Sequence, residues 1–267
     1  MSTSNKVIVI TGSTRGIGLG LAIAFLDLGC SVTVSGRSQE NVDKTVASLA
    51  VGQDAKHVFG MACDVTRPEQ VQTLWDQSIK RFEHVDIWIN NAGWSGEEGM
   101  VWERPAEEVS VIAATNILGT IYGSQVAMKG MVAQGFGAIY NMEGMGSDGR
   151  KHAGLTMYGT SKYATHYFTE SLALESKTTP VIIGGLRPGM VITDMILDRY
   201  KNRPEELERA KKIFNIIADK TANVSPWLAK RILENQKSGA IIAYSSGLKL
   251  MWRFISSPFI KRDLFAK

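Results

Sequence analysis

An uninterrupted apolar run, Val7 to Ile10, passes directly into Thr11-Gly12-Ser13-Thr14-Arg15-Gly16-Ile17-Gly18 and then into a helix-forming stretch, GLAIAFLDLG. Few other patterns restrict a chain so tightly. Glycines at 12, 16 and 18 permit a sharp turn and a close backbone approach. The helix that follows directs its unpaired N–H groups and the positive end of its dipole at that turn. A pyrophosphate fits such a site. A glycine triplet alone marks only a turn, but a strand before it and a helix after it make it a dinucleotide signal.

The rest of the chain repeats the theme. Short β-type runs fall at 7–10, 31–35, 57–63, 85–90, 137–142, 181–186 and 240–244, with helix-like segments between them. Seven strands alternating with helices predict βαβ units and an α/β doubly wound parallel sheet with helices on both faces. The strands read as almost continuous apolar runs, as expected when both faces are covered. A length of 267 residues with 44% hydrophobic and 21% charged positions suits one such unit. The expected division is a domain over 1–247 and a tail over 248–267. One segment, 190–226, interrupts the alternation after the sixth strand and predicts a substrate cover at the carboxyl ends of the strands.

The second strand ends in Ser35-Gly36-Arg37-Ser38, with no acid to hold a ribose 2′-hydroxyl. Arg37, with Arg15 from the glycine loop, could instead clamp a 2′-phosphate, which points to NADP(H). Singly, each arginine reads equally well as a solvated surface residue. Further along, Tyr158 and Lys162 stand four residues apart in MYGTSKYATHYF. On one helix face, the ammonium could lower the phenol's pKa and make it a usable acid or base.

Taken together these residues resemble the short-chain dehydrogenase/reductase family over nearly the whole chain. TGxxxGxG matches 11–18, the acidic adenine-pocket residue matches Asp64 beside Val65, and NNAG matches Asn90 to Gly93. Asn116 matches the mid-chain asparagine, YxxxK matches 158–162, and the PG turn matches Pro188-Gly189. The resemblance implies a Rossmann-type seven-stranded sheet and NAD(P)-dependent carbonyl or alcohol chemistry. It implies Tyr158 as acid/base, Lys162 as holder of the nicotinamide ribose and tuner of Tyr158, and Asn116 as support for a proton relay. It implies cofactor contacts from Gly12, Thr14, Arg15, Gly16, Ile17, Gly18, Arg37, Asp64, Val65, Ala92, Gly93, Pro188, Gly189 and Val191. Asn90 is expected on the adenosine ribose side and Thr193 at the nicotinamide end.

One departure matters. Where the family's fifth strand ends in a pattern like NISS, this chain has NMEGMGS, and Gly144 stands at the serine position. The substitutes are Ser147 or backbone N–H groups of the glycine-rich loop acting as an oxyanion-type donor. Ser147 as an ordinary loop serine, in a cofactor-sensing protein without turnover, is the contrary reading. The strings IYNMEGMGSDG, RPGMVITDMIL and KKIFNIIADK look like the chlorophyll b reductase branch of the family. That resemblance implies reduction of the 7-formyl group of chlorophyll(ide) b with NADPH. A steroid, retinoid or other lipid carbonyl is the alternative.

Methionines 142, 145, 157, 190 and 195, with Trp94 and Trp102, fit either an adaptable pocket for a bulky apolar substrate or ordinary core packing. No His/Cys pattern suits a metal. The formal charge of +4 lies entirely in 248–267, where Lys249, Arg253, Lys261, Arg262 and Lys267 face only Asp263. That argues against nucleic acid as a partner. The tail, broken at Pro258, mixes aromatics with cations, a pattern suited to peripheral contact with a membrane, to covering an apolar pocket, or to packing on a partner subunit. The family resemblance implies a homodimer or homotetramer. Two cysteines, no signal-type apolar run and no apolar stretch near ~18 residues predict a cytoplasmic protein without a spanning helix.

Overall fold

The computed structural model describes residues 5–51, 55–201, 203–257 and 259–265. Pro258 and Lys267 lie outside the described residues. Strands β1 (Val7–Ile10), β2 (Ser31–Gly36), β3 (Val58–Ala62), β4 (Ile87–Asn90), β5 (Gly137–Met142), β6 (Val181–Arg187) and β9 (Ala240–Ala243) form one parallel sheet in the order β3-β2-β1-β4-β5-β6-β9. All seven expected runs appear in it. The order reverses between β1 and β4, and a crevice opens there at the carboxyl ends of the strands.

Two apolar layers clothe the sheet. On one face α1 (Gly16–Asp27) packs on α9 (Thr221–Glu234), with Leu21, Phe25, Leu228 and Ile232 against Ile8, Ile10 and Val32. On the other, α3 (Pro68–Phe82) packs on α5 (Gly119–Gln134) around Trp75, Trp88 and Met131. Alternate residues of β1 serve the two layers, Ile8 and Ile10 one and Val7 and Val9 the other. This is why the strand shows no polar face.

α4 (Ala106–Ala113), a π-helical turn (Ala114–Leu118) and α5 make one helical run from Ala106 to Gln134. By length and composition alone it is long and apolar enough to cross a membrane, as a core helix of a folded domain also can be. Here α5 packs on α3, β4 and β5.

α2 (Gln39–Ala50) is capped by Ser38, whose Oγ accepts from the Asn41 amide. α6 (Thr156–Glu175) follows β5, and the segment after β6 makes a closed excursion. It comprises β7 (Val191–Ile192), α7 (Asp194–Leu197), α8 (Pro204–Ile217) and β8 (Asp219–Lys220). β7 and β8 pair in parallel, Val191 with Asp219 and Ile192 with Lys220, and so close its neck. α10 (Gly247–Ser256) then packs on α8.

Candidate active site

The crevice is a cleft of about 1620 Å³ running along the carboxyl edge of the sheet. At one end the glycine loop approaches the loop after β4 so closely that side chains have no room. A Cβ on Gly12, whose φ is +62°, would lie 2.7 Å from Ala92 Cα, and one on Gly18 would lie 2.5 Å from the Gly12 carbonyl oxygen. α1 starts here, with Arg15 at its N-cap and no side chain capping it, so its leading amides remain available to an anion. Thr14, Gly16, Ile17 and Ala92 line the same stretch.

Arg37 and Ser38 at the end of β2 line the cleft with Asp64 and Val65. Asp64 Oδ1 accepts from the amide and hydroxyl of Thr66, which fixes the loop. Arg15 stands 3.8 Å from Asp198, so a carboxylate of the excursion after β6 shares it. The glycine cradle and the uncapped helix fit a dinucleotide pyrophosphate.

At the other end, Tyr158 and Lys162 rise from the first turns of α6 and both line the cleft. Lys162 is buried, donates from Nζ to the Met142 carbonyl at 2.8 Å and sits 5.9 Å from the Tyr158 ring centre. Burial pulls its pKa down to about 8, with the Glu143 carboxylate pulling the other way. Burial raises the Tyr158 phenol above its ordinary value, and the cation that opposes this is Arg199, 5.8 Å from the ring centre. Two cations therefore stand near the Tyr158 ring, Lys162 as expected and Arg199 in addition. A Cβ on Gly144 would lie 2.6 Å from the Tyr158 hydroxyl, so the position of the missing serine does abut the phenol.

Three predicted residues lie elsewhere. Asn90 is buried and outside the cleft lining; its carboxamide accepts from Trp88 Nε1 and donates to Ser124 and Asn141. As the last residue of β4 it faces the helix layer, whereas Asn91 reaches the cleft and donates to the Thr11 and Gly12 carbonyls. Ser147 is fully buried outside the lining, its Oγ without a hydrogen-bond partner among the described residues and its amide spent on the Gly144 carbonyl. The turn from Gly144 to Gly149 points it inward, so it is no substitute donor as placed. Asn116, in the π-helical turn, is also fully buried. Its side chain exchanges hydrogen bonds with the Trp94 backbone and donates to Ser161 Oγ, tying the loop after β4 to α6.

Gly93, Pro188, Gly189, Val191 and Thr193 line the cleft, as do Met142, Met145, Met190, Met195 and Trp94. Met157 and Trp102 do not, and Trp102 is solvent-exposed. No cluster of three metal-ligating side chains occurs among the described residues.

Sequence reasoning missed a buried network beside Lys162. Glu143, fully buried, receives two hydrogen bonds from Arg187 and one from His166, which lies one helical turn beyond Lys162. An acid at a strand end next to the YxxxK helix was the available signal. It also missed the wall formed by Phe214 and Ile217 of α8 with Leu250 and Phe254 of α10. Arg253 and Arg262 both pair with Asp219 at the neck of the excursion, at 2.7 and 2.8 Å. The tail cations are thus partly spent on the protein itself.

The family model described as short chain dehydrogenase matches residues 6–204. A probable chloroplastic chlorophyll(ide) b reductase of Arabidopsis thaliana, NYC1, is 35% identical over 94% of this chain, which spans about half (52%) of that relative's length. Chlorophyll(ide) b reductase NOL of the same plant is 34% identical over 93% of this chain and 72% of its own. A 3alpha-hydroxysteroid dehydrogenase of Mediterraneibacter gnavus is 34% identical over 73% of this chain and 78% of its own. Among solved structures, levodione reductase superposes with a TM-score of 0.83 at 21% identity, over 92% of this chain and 98% of its own. ElxO with NADP bound gives 0.79 at 26%, over 90% and 96%. The tyrosine and lysine at the cleft floor thus sit in a chain whose sequence and architecture agree on one ancestry: it belongs to the short chain dehydrogenases, as an oxidoreductase acting on C=O or CH–OH groups.

Proposed function

We propose that the protein is an NADPH-dependent reductase of a bulky apolar carbonyl compound, with the 7-formyl group of chlorophyll(ide) b as the leading substrate, reduced to hydroxymethyl. The carrying observation is the cleft itself. Tyr158 and Lys162 stand at its floor, and Trp94, Met145, Met190, Met195, Phe214 and Phe254 give it broad apolar walls. Similarity to the two plant reductases over more than nine-tenths of the chain supports the substrate class. The hydroxysteroid dehydrogenase relative supports a steroid carbonyl as the second reading.

When bound, the nicotinamide supplies the hydride. Tyr158, protonated at neutral pH like any phenol, donates its proton to the substrate oxygen as charge develops there. Lys162 holds a ribose hydroxyl and returns a proton to the phenolate. Asn116 positions both walls of the site through Trp94 and Ser161. Arg37, with Arg15, holds the 2′-phosphate.

The reading extends to assembly and surroundings. We place the chain in a homo-oligomer of the family type, built on one domain over 1–247. α10 turns Leu250 and Phe254 toward the cleft and exposes Leu248, Met251, Trp252 and Ile255. Such a stripe suits a lipid surface from which an apolar substrate enters.

The test is NADPH oxidation with chlorophyllide b beside a panel of steroid and lipid carbonyls, with the product identified by chromatography. Turnover of chlorophyllide b that vanishes in Tyr158→Phe, while NADPH binding persists, supports the reading. Turnover confined to steroids favours the second one, and turnover in Tyr158→Phe equal to wild type defeats both.

A further inference from the structure

The chemistry proposed above needs a hydrogen-bond donor to the substrate oxygen besides the phenol, and the loop after β5 supplies no side-chain hydroxyl for it. Gly144 carries no side chain, and the Ser147 hydroxyl is buried outside the cleft. Across the cleft from α6, however, the lid turn Asp198–Tyr200 brings Arg199 over the Tyr158 ring at 5.8 Å. We propose that Arg199 is a catalytic residue: its guanidinium hydrogen-bonds the substrate's carbonyl oxygen beside Tyr158, in place of the hydroxyl that Gly144 lacks.

The arginine is held at two points. Its Nε donates to Ser95 Oγ at 3.1 Å, and its carbonyl accepts from Arg203 at 2.8 Å. Its two terminal amino groups have no hydrogen-bond partner among the described residues, and no described carboxylate pairs with it. Glu98, Tyr158 and Tyr200 are the titratable groups whose charge acts on it, and Glu98 lines the same cleft. Lys162 and Glu143 line the cleft as well, with the Lys162 ammonium 5.9 Å from the ring centre. Burial depresses the guanidinium below its usual range.

A cation withdrawn from water without an ion pair is costly, and such costs concentrate where a ligand completes the partnership. An oxygen that gains negative charge on hydride addition is such a partner. In the balanced step the hydride forms the new C–H bond, Tyr158 gives its proton to the oxygen, and Arg199 donates hydrogen bonds throughout and keeps its own proton. Because the donor comes from the lid and not from the sheet, the site is complete only with the lid in place over the substrate.

The proposal rests on the cleft being a carbonyl-reducing site, so its test has an arm that needs no substrate. Carbon-13 labelling of tyrosine ring carbons, with Tyr158 assigned by Tyr158→Phe, follows the phenol's titration by NMR. In Arg199→Gln the Tyr158 midpoint is expected to rise by about one unit, and in Arg199→Lys to stay near wild type. The second arm measures NADPH-dependent reduction of 4-nitrobenzaldehyde and of chlorophyllide b. Arg199→Gln is expected to lower kcat about 100-fold, with NADPH affinity unchanged and partial rescue by free guanidinium but not by sodium chloride. An unmoved Tyr158 midpoint in Arg199→Gln, or an unmoved kcat, overturns the proposal. If the wild type reduces neither aldehyde, the functional reading fails and the titration alone decides on Arg199.

Discussion

Arg187 grips Glu143 through Nε and Nη2 at 2.8 and 2.6 Å, joining the end of β6 to the residue that follows β5. The carboxylate is fully buried, and His166 takes its other oxygen at 2.9 Å. Removing one partner from such a pair leaves an uncompensated charge, so Glu143→Gln should destabilise the fold by about 3 kcal/mol. Glu143→Gln combined with Arg187→Met should recover most of that loss. Urea unfolding of the single and double variants checks both statements.

Restoring a serine at 144 should not repair the site. Its Cβ would press on the Tyr158 hydroxyl at 2.6 Å, displacing the proton donor. The expected outcome for Gly144→Ser is a kcat lower by about 10-fold or more, at unchanged NADPH affinity. A gain in kcat would show that the phenol yields and that a hydroxyl is welcome there.

Lys162 connects protonation to stability. A lysine titrates at 10.5 when unfolded and at about 8 in this fold, so between those values the unfolded chain binds the extra proton. Stability therefore rises with pH across that window, and the cost of the buried ammonium is greatest below it. Lys162→Met should raise Tm at pH 7, and the gain should shrink as pH climbs from 8 toward 10.5, although activity is lost. Calorimetric scans across that range, compared with wild type, check the sign.

The proposed preference for NADPH rests on the acid-free end of β2. Arg37→Asp should weaken NADPH about 10- to 100-fold and leave NADH the same or tighter. Fluorescence titration with both nucleotides measures the ratio. An unchanged ratio would mean that Arg37 does not touch the 2′-phosphate.

Trp252 projects from α10 with 62% of its surface exposed. Trp252→Glu should reduce co-sedimentation with anionic phospholipid vesicles several-fold while sparing NADPH affinity. Equal loss of both would point to an unfolded arm.

Much of this was legible in the sequence because the central strands are buried on both faces and read as continuous apolar runs. The glycine loop, Tyr158 with Lys162, and the seven runs could be read from local order alone. Asn90 and Asn91 show the limit. Neighbours at the end of a strand face opposite layers, and a motif fixes the pair without saying which side chain reaches the cleft. Asn116 is hidden in a π-helical turn, a local widening that no hydrophobic period reports. Arg199 lies within the excursion after β6, where no repeat or spacing links it to Tyr158, 41 positions earlier. Only the folded lid brings the two together.

The neck of that lid has a mechanical meaning. Asp219 is at once half of the β7–β8 pairing and the anchor for Arg253 and Arg262. The lid and the C-terminal arm are thereby bolted at one carboxylate and share one wall of the entrance. A change at Asp219 would therefore loosen both halves of that wall at one stroke.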